Sequence, residues 1–372
     1  MRITKLQLIN FRNYTNDVME PDPGMSVLVG PNAHGKSALL EAGYVLATSK
    51  SHRTTRDSDL IRIGADCARV YGEVEREKRE DTVLEIRLAR KEKKVVRINQ
   101  VRHERVGHIV GQLNVVIFST ADLDMVKGDP SHRRRFLNLE ISQVSPQYVY
   151  ALGRYKRVLE QRNRMLKESQ HRGSSNQGLG VWDNQLVHYG SIMIEKRVDF
   201  LKRLSEIAGP TYDRLVGGVE SLEMHYEPSV VLEGGARVEE IRESFGLEVR
   251  ANRDQDVARG TTTRGPHRDD IGFRVDGMDL RSYGSQGQQR SVALAVKLAE
   301  IGLVEEAVGE SPVALLDDVA AELDEERRKQ VFELTLGRCQ TVVTATSLGD
   351  LPREVLAQST VFTVTSGTVR RS

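Results

Sequence analysis

The chain has 372 residues, 39% hydrophobic and 29% charged, a balance that allows a full core in one or two domains. Its formal net charge of +1 supplies no global field for nucleic acid or a membrane surface, so any such partner must be argued from local patches. Two distant cysteines, Cys67 and Cys339, form no CxxC, and the nine histidines are scattered without metal-ligand spacing; a zinc site and a disulfide scaffold are therefore not expected.

The opening "MRITKLQLINF" alternates polar and apolar residues, and "ITKLQLINF" (3–11) reads as a strand, not the apolar core of a signal peptide. No apolar run approaches the ~20 residues that span a bilayer, so a cytoplasmic protein with no membrane partner is expected. "MSVLVG" (25–30) is a buried strand, and "SALLEAGYVLA" (37–47) is the helix that follows it. Between them "GPNAHGKS", comprising Gly30, Pro31, Asn32, Ala33, His34, Gly35, Lys36 and Ser37, matches GxxxxGK[ST] in the strand-to-helix context that gives the pattern meaning. Loop N–H groups and the helix dipole favour a β-phosphate, Lys36 spans the β- and γ-phosphates, and the Ser37 hydroxyl is a Mg2+ ligand. The plainer alternative is a glycine-rich turn with an exposed lysine.

"DTVLEIRLAR" and "KVVRINQ" read as a β-hairpin, and "NVVIFS" (114–119) as a short buried strand. From Asp129 to about Arg253 the pattern becomes helical, with two stretches of 3.6-residue apolar spacing separated by the loop-like tip "HRGSSNQGLG" (171–180). Each stretch has ~25 residues, enough for an antiparallel arm of ~35–40 Å at ~1.5 Å per residue and too short for a long coiled coil. Strand patterns return at "DIGFRVDG" (270–277), "PVALLDD" (312–318) and "QTVVTAT" (340–346). The expected organisation is an α/β domain in two parts, 1–128 and 261–372, interrupted by a helical insertion over 129–260.

"VALLDDVAAELD" (313–324) is an apolar strand ending in two carboxylates. Beside a phosphate loop, Asp317 is a candidate second-sphere or direct Mg2+ ligand and Asp318 a candidate group to polarise the attacking water, with Asp324 in the next turn. Helix capping is the alternative use of such a pair. The stretch "YGSQGQQRS" (283–291) runs into the helix "VALAVKLAEIGLVEEA", placing Ser285, Gly287 and Gln288 at a helix N-terminus, a favourable anion site. In the order phosphate loop, Ser-Gly segment, acidic strand, this suggests an ABC-type arrangement in which Ser285 and the Gly287 N–H of one copy meet the γ-phosphate held by another, with Gln288 settling the loop. The alternative is that Ser285 simply caps its own helix.

With these motifs in place the sequence resembles the RecF family of bacterial recombination-repair ATPases, related to the SMC and ABC ATPases, over nearly the whole chain. "NFRNY" (10–14) is similar to the family's N-terminal motif, which implies that Arg12 and Asn13 face the nucleotide phosphates. "SHRTTRDSDLI" (51–61) resembles the segment near the nucleotide base, "DLDMVKGDPSHRRRFLNLEI" (122–141) and "LLDDVAAELDEERRKQVFEL" resemble family signatures, and "GPHRDD" (265–270) is a further family-like mark. The family usually has Pro where Thr120 stands; Thr346 occupies the place of the ABC switch histidine, and no Q-loop glutamine follows "NVVIFS".

The resemblance implies an ABC/SMC-like P-loop ATPase head with an inserted short antiparallel arm, binding ATP and Mg2+, dimerising on ATP and hydrolysing it slowly. It also implies a nucleoid-associated function in recombination, replication and the SOS response, in which duplex DNA near single-strand gaps is bound and RecO and RecR cooperate in loading RecA. The alternatives are the ABC-like ATPase of a nuclease or other DNA-processing complex, a transport ATPase, and a scaffold that does not hydrolyse nucleotide. Residues 131–169 carry nine basic against three acidic side chains, and a second basic run, "RLARKEKKVVR", covers 87–97. Arg133, Arg134, Arg135, Arg154, Lys156 and Arg157 are the candidate DNA contacts, giving affinity without sequence choice. A solvated helix face is one alternative, and a folding role for Arg133–Arg135, paired with the acidic "DLD" segment, is another.

Overall fold

The computed structural model describes residues 1–172, 178–232, 237–319 and 323–372, so half of the expected tip at 171–180 and half of the "AELD" turn at 321–324 lie outside the described residues. The chain forms two compact units: unit 1 is Met1–Leu123, Pro210–Val219 and Arg290–Ser372, and unit 2 is Asp124–Gly209 and Glu220–Gln289.

Unit 1 contains two six-stranded sheets. The first is antiparallel, in the order β2 (Tyr14–Met19), β1 (Arg2–Phe11), β4 (Cys67–Glu75), β5 (Thr82–Ala89), β6 (Val95–Ile98), β7 (Val101–His103). One residue of each alternating pair is buried along β4 and β5, as a sheet with one wet face requires. The second has the order β15 (Thr368–Arg371), β14 (Ser359–Thr365), β3 (Met25–Val29), β13 (Thr341–Ala345), β12 (Val313–Leu316), β8 (Val115–Phe118). All its neighbours pair in parallel except β14 with β15. Its inner strands read "MSVLV", "TVVTA", "VALL" and "VVIF", the continuous apolar runs of strands covered on both faces.

The helix after β3, α1 (Lys36–Thr48), packs on β1, β4 and β5 of one sheet and on β8 and β13 of the other. This explains its composition: Ala38 to Thr48 are buried all round, which suits a helix clamped between two layers. Residues 290–308 of a second buried helix, α9 (Gln286–Val308), also belong to unit 1.

Unit 2 holds α3 (Pro130–Val144), α4 (Pro146–Arg172), most of α5 (Leu179–Val216), α6 (Val238–Ala251), α7 (Arg253–Arg259) and a three-stranded sheet. That sheet has β10 (Asp270–Val275) between β9 (Leu222–Glu227) and β11 (Met278–Asp279). At 38 residues α5 is longer than the ~25 expected, and the unit boundary falls inside it at Pro210, whose ring removes a helical N–H donor. Residues 261–289 group with unit 2, not with the second half of the α/β domain, and 210–219 group with unit 1. The reason is strand pairing: β10 runs antiparallel to β9 from Asp270↔Glu227 to Val275↔Leu222. The alternation in "DIGFRVDG" announces a strand but not the sheet it joins. Among the described residues no helix is long and apolar enough to cross a membrane.

Candidate functional site

The phosphate loop connects β3 to α1 in unit 1. Gly30 has φ +159 and a Cβ there would stand 2.2 Å from the Val364 carbonyl oxygen of β14, so the close backbone approach demands glycine. Gly35, at φ +116, is hemmed in by Asn13 and Tyr14. The curl is pinned from outside: the Asn13 Nδ2 donates to His34 O at 2.9 Å, the Tyr14 hydroxyl to Gly35 O at 3.1 Å, and Gly367 N to His34 O at 3.0 Å. The Lys36 Nζ, only 4% exposed, donates to Gly30 O at 2.5 Å and Pro31 O at 3.0 Å, so the ammonium is stored across its own loop.

Arg12 lies at φ 53, and its guanidinium grips the buried Glu41 carboxylate through two 2.7 Å bonds and the Asp59 carbonyl at 2.8 Å. Burial pushes the Glu41 carboxyl up, but the Arg12 and Ser51 hydrogen bonds and the Arg12 charge outweigh it and hold it below the ordinary range. Arg12 was expected to face the phosphates; it lines the cavity while its charge is committed to Glu41.

Asp317 and Asp318 leave the end of β12. Asp317 N donates to Phe118 O at 2.9 Å, its carboxylate accepts a hydrogen bond from Thr344 Oγ1 at 3.1 Å, and the nearby Ser37 hydroxyl favours its charged form. Burial, with a further push from the Asp318 charge, raises the Asp317 pKa in spite of those bonds. Asp318 sits at φ 55 with its N–H on Thr344 Oγ1 at 2.8 Å, a left-handed turn that aims its carboxylate into the cavity. That cavity, about 770 Å³, runs from Asn32, Lys36 and Ser37 past Asn13 to Arg62, within the range of small-molecule sites. Thr346, in the place of a switch histidine, donates to Asp350 at 2.7 Å.

The donor set fits Mg2+: the Ser37 hydroxyl and the half-buried Asp317 carboxylate are neighbours, and Mg2+ takes few protein oxygens, keeping waters and substrate phosphates. Among the described residues no group of three His, Cys, Asp or Glu could hold a metal. The Nδ1 atoms of His103 and His108 approach to 3.0 Å, a pairing that the scattered histidines do not announce.

In unit 2, Ser285 and Gln288 cap each other: Gln288 N donates to Ser285 Oγ at 3.1 Å, and Ser285 N to Gln288 Oε1 at 2.9 Å. The Gln288 amide also donates to Glu220 at 2.9 Å, and Ser285 caps its own helix. Ser285 and Gly287 are both exposed.

The basic run divides sharply. Arg133 is 2% exposed; it makes a bidentate pair with Asp270 at 2.6 and 2.8 Å and donates to Gly128 O at 2.8 Å. It is therefore a structural arginine and not a DNA contact, and its carboxylate partner is Asp270, not the "DLD" segment. Arg134 is half-buried on the Asp269 carbonyl, and Arg135 is half-buried too. Arg162 is fully buried between Asp183 and Asp256. Arg154 leans over the Tyr150 ring at 5.3 Å, while Lys156, Arg157, Arg164 and Lys167 are exposed.

"GPHRDD" builds a buried polar cluster. Asp269 receives Tyr226 and Ser229 N, and the Arg197 guanidinium lies 3.6 Å away. His267 accepts from the Tyr155 hydroxyl at 2.7 Å and donates to Thr262 O at 3.0 Å. Arg197 and Tyr226 gave no sequence signal, because each sits on an element whose periodicity marks it only as inward-facing.

Residues 2–367 match the family described as "RecF/RecN/SMC N terminal domain". The "DNA replication and repair protein RecF" of Geobacillus thermodenitrificans is 41% identical over 370 residues, covering 99% of each chain. That of Shouchella clausii is 42% identical over 372 residues, covering 100% of both. Among solved structures, "Structure of the recombination mediator protein RecF-ATPrS in RecFOR pathway" superposes with a TM-score of 0.92 at 31% identity, covering 100% of this chain and 98% of that one. A Pyrococcus furiosus Smc head domain, at TM-score 0.55, 18% identity and coverage of 100% of this chain and 95% of that one, shares the fold. The head fold, the phosphate loop and end-to-end identity agree: this chain belongs to the RecF family.

Proposed function

We propose that this chain is an ATP-gated DNA clamp of recombinational repair. The observation that carries the reading is the half-buried Asp317 carboxylate at the tip of β12, near the Ser37 hydroxyl of the phosphate loop, with Asp318 turned into the cavity that Ser37 lines. Those are the two protein oxygens and the water-facing carboxylate that ATP hydrolysis uses. The names of the relatives, "DNA replication and repair protein" and "recombination mediator protein RecF-ATPrS in RecFOR pathway", support a role with DNA, RecO and RecR.

In this reading the loop N–H groups from Gly35 onward receive the β-phosphate, and Lys36 exchanges the Gly30 and Pro31 carbonyls for phosphate oxygens. Ser37 and Asp317 would hold Mg2+, which would supply neutralising charge to the phosphates. Asp318 orients the attacking water and takes up its proton. Ser285 and the Gly287 N–H of a second copy reach the γ-phosphate, so that two copies close on duplex DNA; Gln288 holds that turn in shape. Thr346 gives no imidazole to the γ-phosphate, which makes turnover slow and suits a switch in the bacterial cytoplasm, at the nucleoid. Arg134, Arg135, Arg154, Lys156 and Arg157 remain the unit 2 candidates for DNA phosphates, with Arg133 removed.

The test is steady-state phosphate release with and without duplex DNA. A slow rate that rises with duplex supports the clamp; no release in either condition leaves nucleotide an ordering role only and refutes the cycle.

A further inference from the structure

We infer that the solvent face of the antiparallel sheet in unit 1 is a track for the phosphate backbone of nucleic acid. It rests on the nucleic-acid reading above and names a surface for it distinct from the helices of unit 2.

Strand register carries the argument. Arg69 on β4 stands directly opposite Arg87 on β5, and Arg97 on β6 directly opposite Arg102 on β7. Paired residues of an antiparallel ladder share a face, and Glu85 links the two pairs: it lies opposite both Tyr71 and Arg97. All four arginines therefore project from one side, the side opposite Val70, Ile86 and Val96, which are 0% exposed. One arginine comes from each of four adjacent strands, so the charges step across the sheet at about 4.8 Å per strand, about 14 Å in all.

Like charges directly opposed across strands destabilise a sheet, and this face has two such pairs. Only part of the repulsion is compensated. Glu85 bonds Arg69 at 2.7 Å and also holds Arg97, while the Arg69 guanidinium lies 5.1 Å from the Tyr71 ring centre. Arg87 and Arg102 are exposed, and neither makes an ion pair among the described residues. Four guanidinium groups against Glu85 leave an excess of three positive charges across these strands, and two of the four, Arg69 and Arg97, line a hollow of about 420 Å³ with Tyr71, Glu85 and Gln100. A fold gains nothing from two opposed arginine pairs; a polyanion with closely spaced charges does. Guanidinium groups bind phosphate as forked donors, and such contacts carry no base information, so duplex and single strand are both accepted.

The test compares binding of a fluorescent 30-base-pair duplex, and separately of fluorescent polyglutamate, to the full chain in ATP, from 50 to 200 mM salt, for wild type, Arg87→Gln/Arg102→Gln and Arg87→Lys/Arg102→Lys. Each lost phosphate contact removes about 0.9 from the slope of log K against log salt, so the glutamine variant should lose about 1.8 of slope while the lysine variant keeps it. The glutamine variant should also melt at a higher temperature than wild type, because the opposed charges are gone. Weaker DNA binding together with greater stability is an outcome that a structural role for these arginines does not produce. Unchanged affinity and slope in the glutamine variant, with wild type binding normally, overturn the track and leave the clamp standing; loss of polyglutamate binding alone assigns the face to an acidic peptide and overturns it too. Wild type that binds no duplex overturns both readings.

Discussion

His267 sets a pH limit on unit 2. Burial pushes its pKa from 6.5 down to about 4, with the Arg268 and Arg134 charges adding to the effect and the Thr262 carbonyl and Asp269 opposing it. Above pH 6.5 the imidazole is neutral in both folded and unfolded chains. As pH falls, the unfolded chain takes the proton first, so stability drops between pH 6.5 and about 4 and then levels off. At about 1.4 kcal/mol per pH unit that interval is worth about 3 kcal/mol, of which about 2 kcal/mol is lost between pH 7 and pH 5. His267→Gln removes the titration and should flatten that part of the curve. The single tryptophan, Trp182, lies in α5 within unit 2, so urea unfolding followed by its fluorescence reads the right unit. The wild type should lose about 2 kcal/mol more than the variant from pH 7 to pH 5. Equal losses in the two proteins would refute the buried neutral imidazole.

Lys36→Ala should abolish nucleotide binding, read by calorimetry, since it removes the ammonium that the loop holds on its Gly30 and Pro31 carbonyls; ordinary ATP affinity would contradict the assignment. Ser285→Arg should leave ATP binding intact and block ATP-dependent dimerisation, because Ser285 is exposed and its bulkier replacement meets only the second copy; dimers of normal size would count against contact in trans. Asp318→Asn should hold closed dimers on DNA, and rapid release in ATP would remove Asp318 from the chemistry. Arg133→Ala strands the Asp270 carboxylate and should cost stability at the low end of roughly 3–5 kcal/mol, since Asp270 keeps 20% exposure; a variant that melts like wild type would return Arg133 to the list of DNA contacts.

The site was legible where chemistry is local. A phosphate loop is one continuous segment between a strand and a helix, and "GPNAHGKS" carries its own geometry. The acidic pair follows an apolar strand whose tip is where ligands meet parallel sheets. What stayed hidden depends on partners remote in sequence. Arg133 and Lys156 look alike in a basic run, yet one is bound to Asp270, 137 residues away, and the other is exposed. Arg12 reads as a phosphate ligand until Glu41 takes it. The strand β10 was visible, but its assignment to unit 2 rests on β9, a short strand inside a region whose dominant period is helical. Likewise β14 and β15 carry Thr, Ser and Arg among few apolar residues, and the pairing of β14 with β3 and of β15 with β14 comes from the sheet. The opposed arginines of the antiparallel sheet are invisible until register is known.

Sizing of the full chain in ATP, in ADP and without nucleotide, each with and without duplex DNA, bears most directly on the clamp. A dimer that appears only in ATP, strengthens with duplex and falls apart in ADP is the predicted result. A chain that stays monomeric in saturating Mg-ATP and duplex would contradict it.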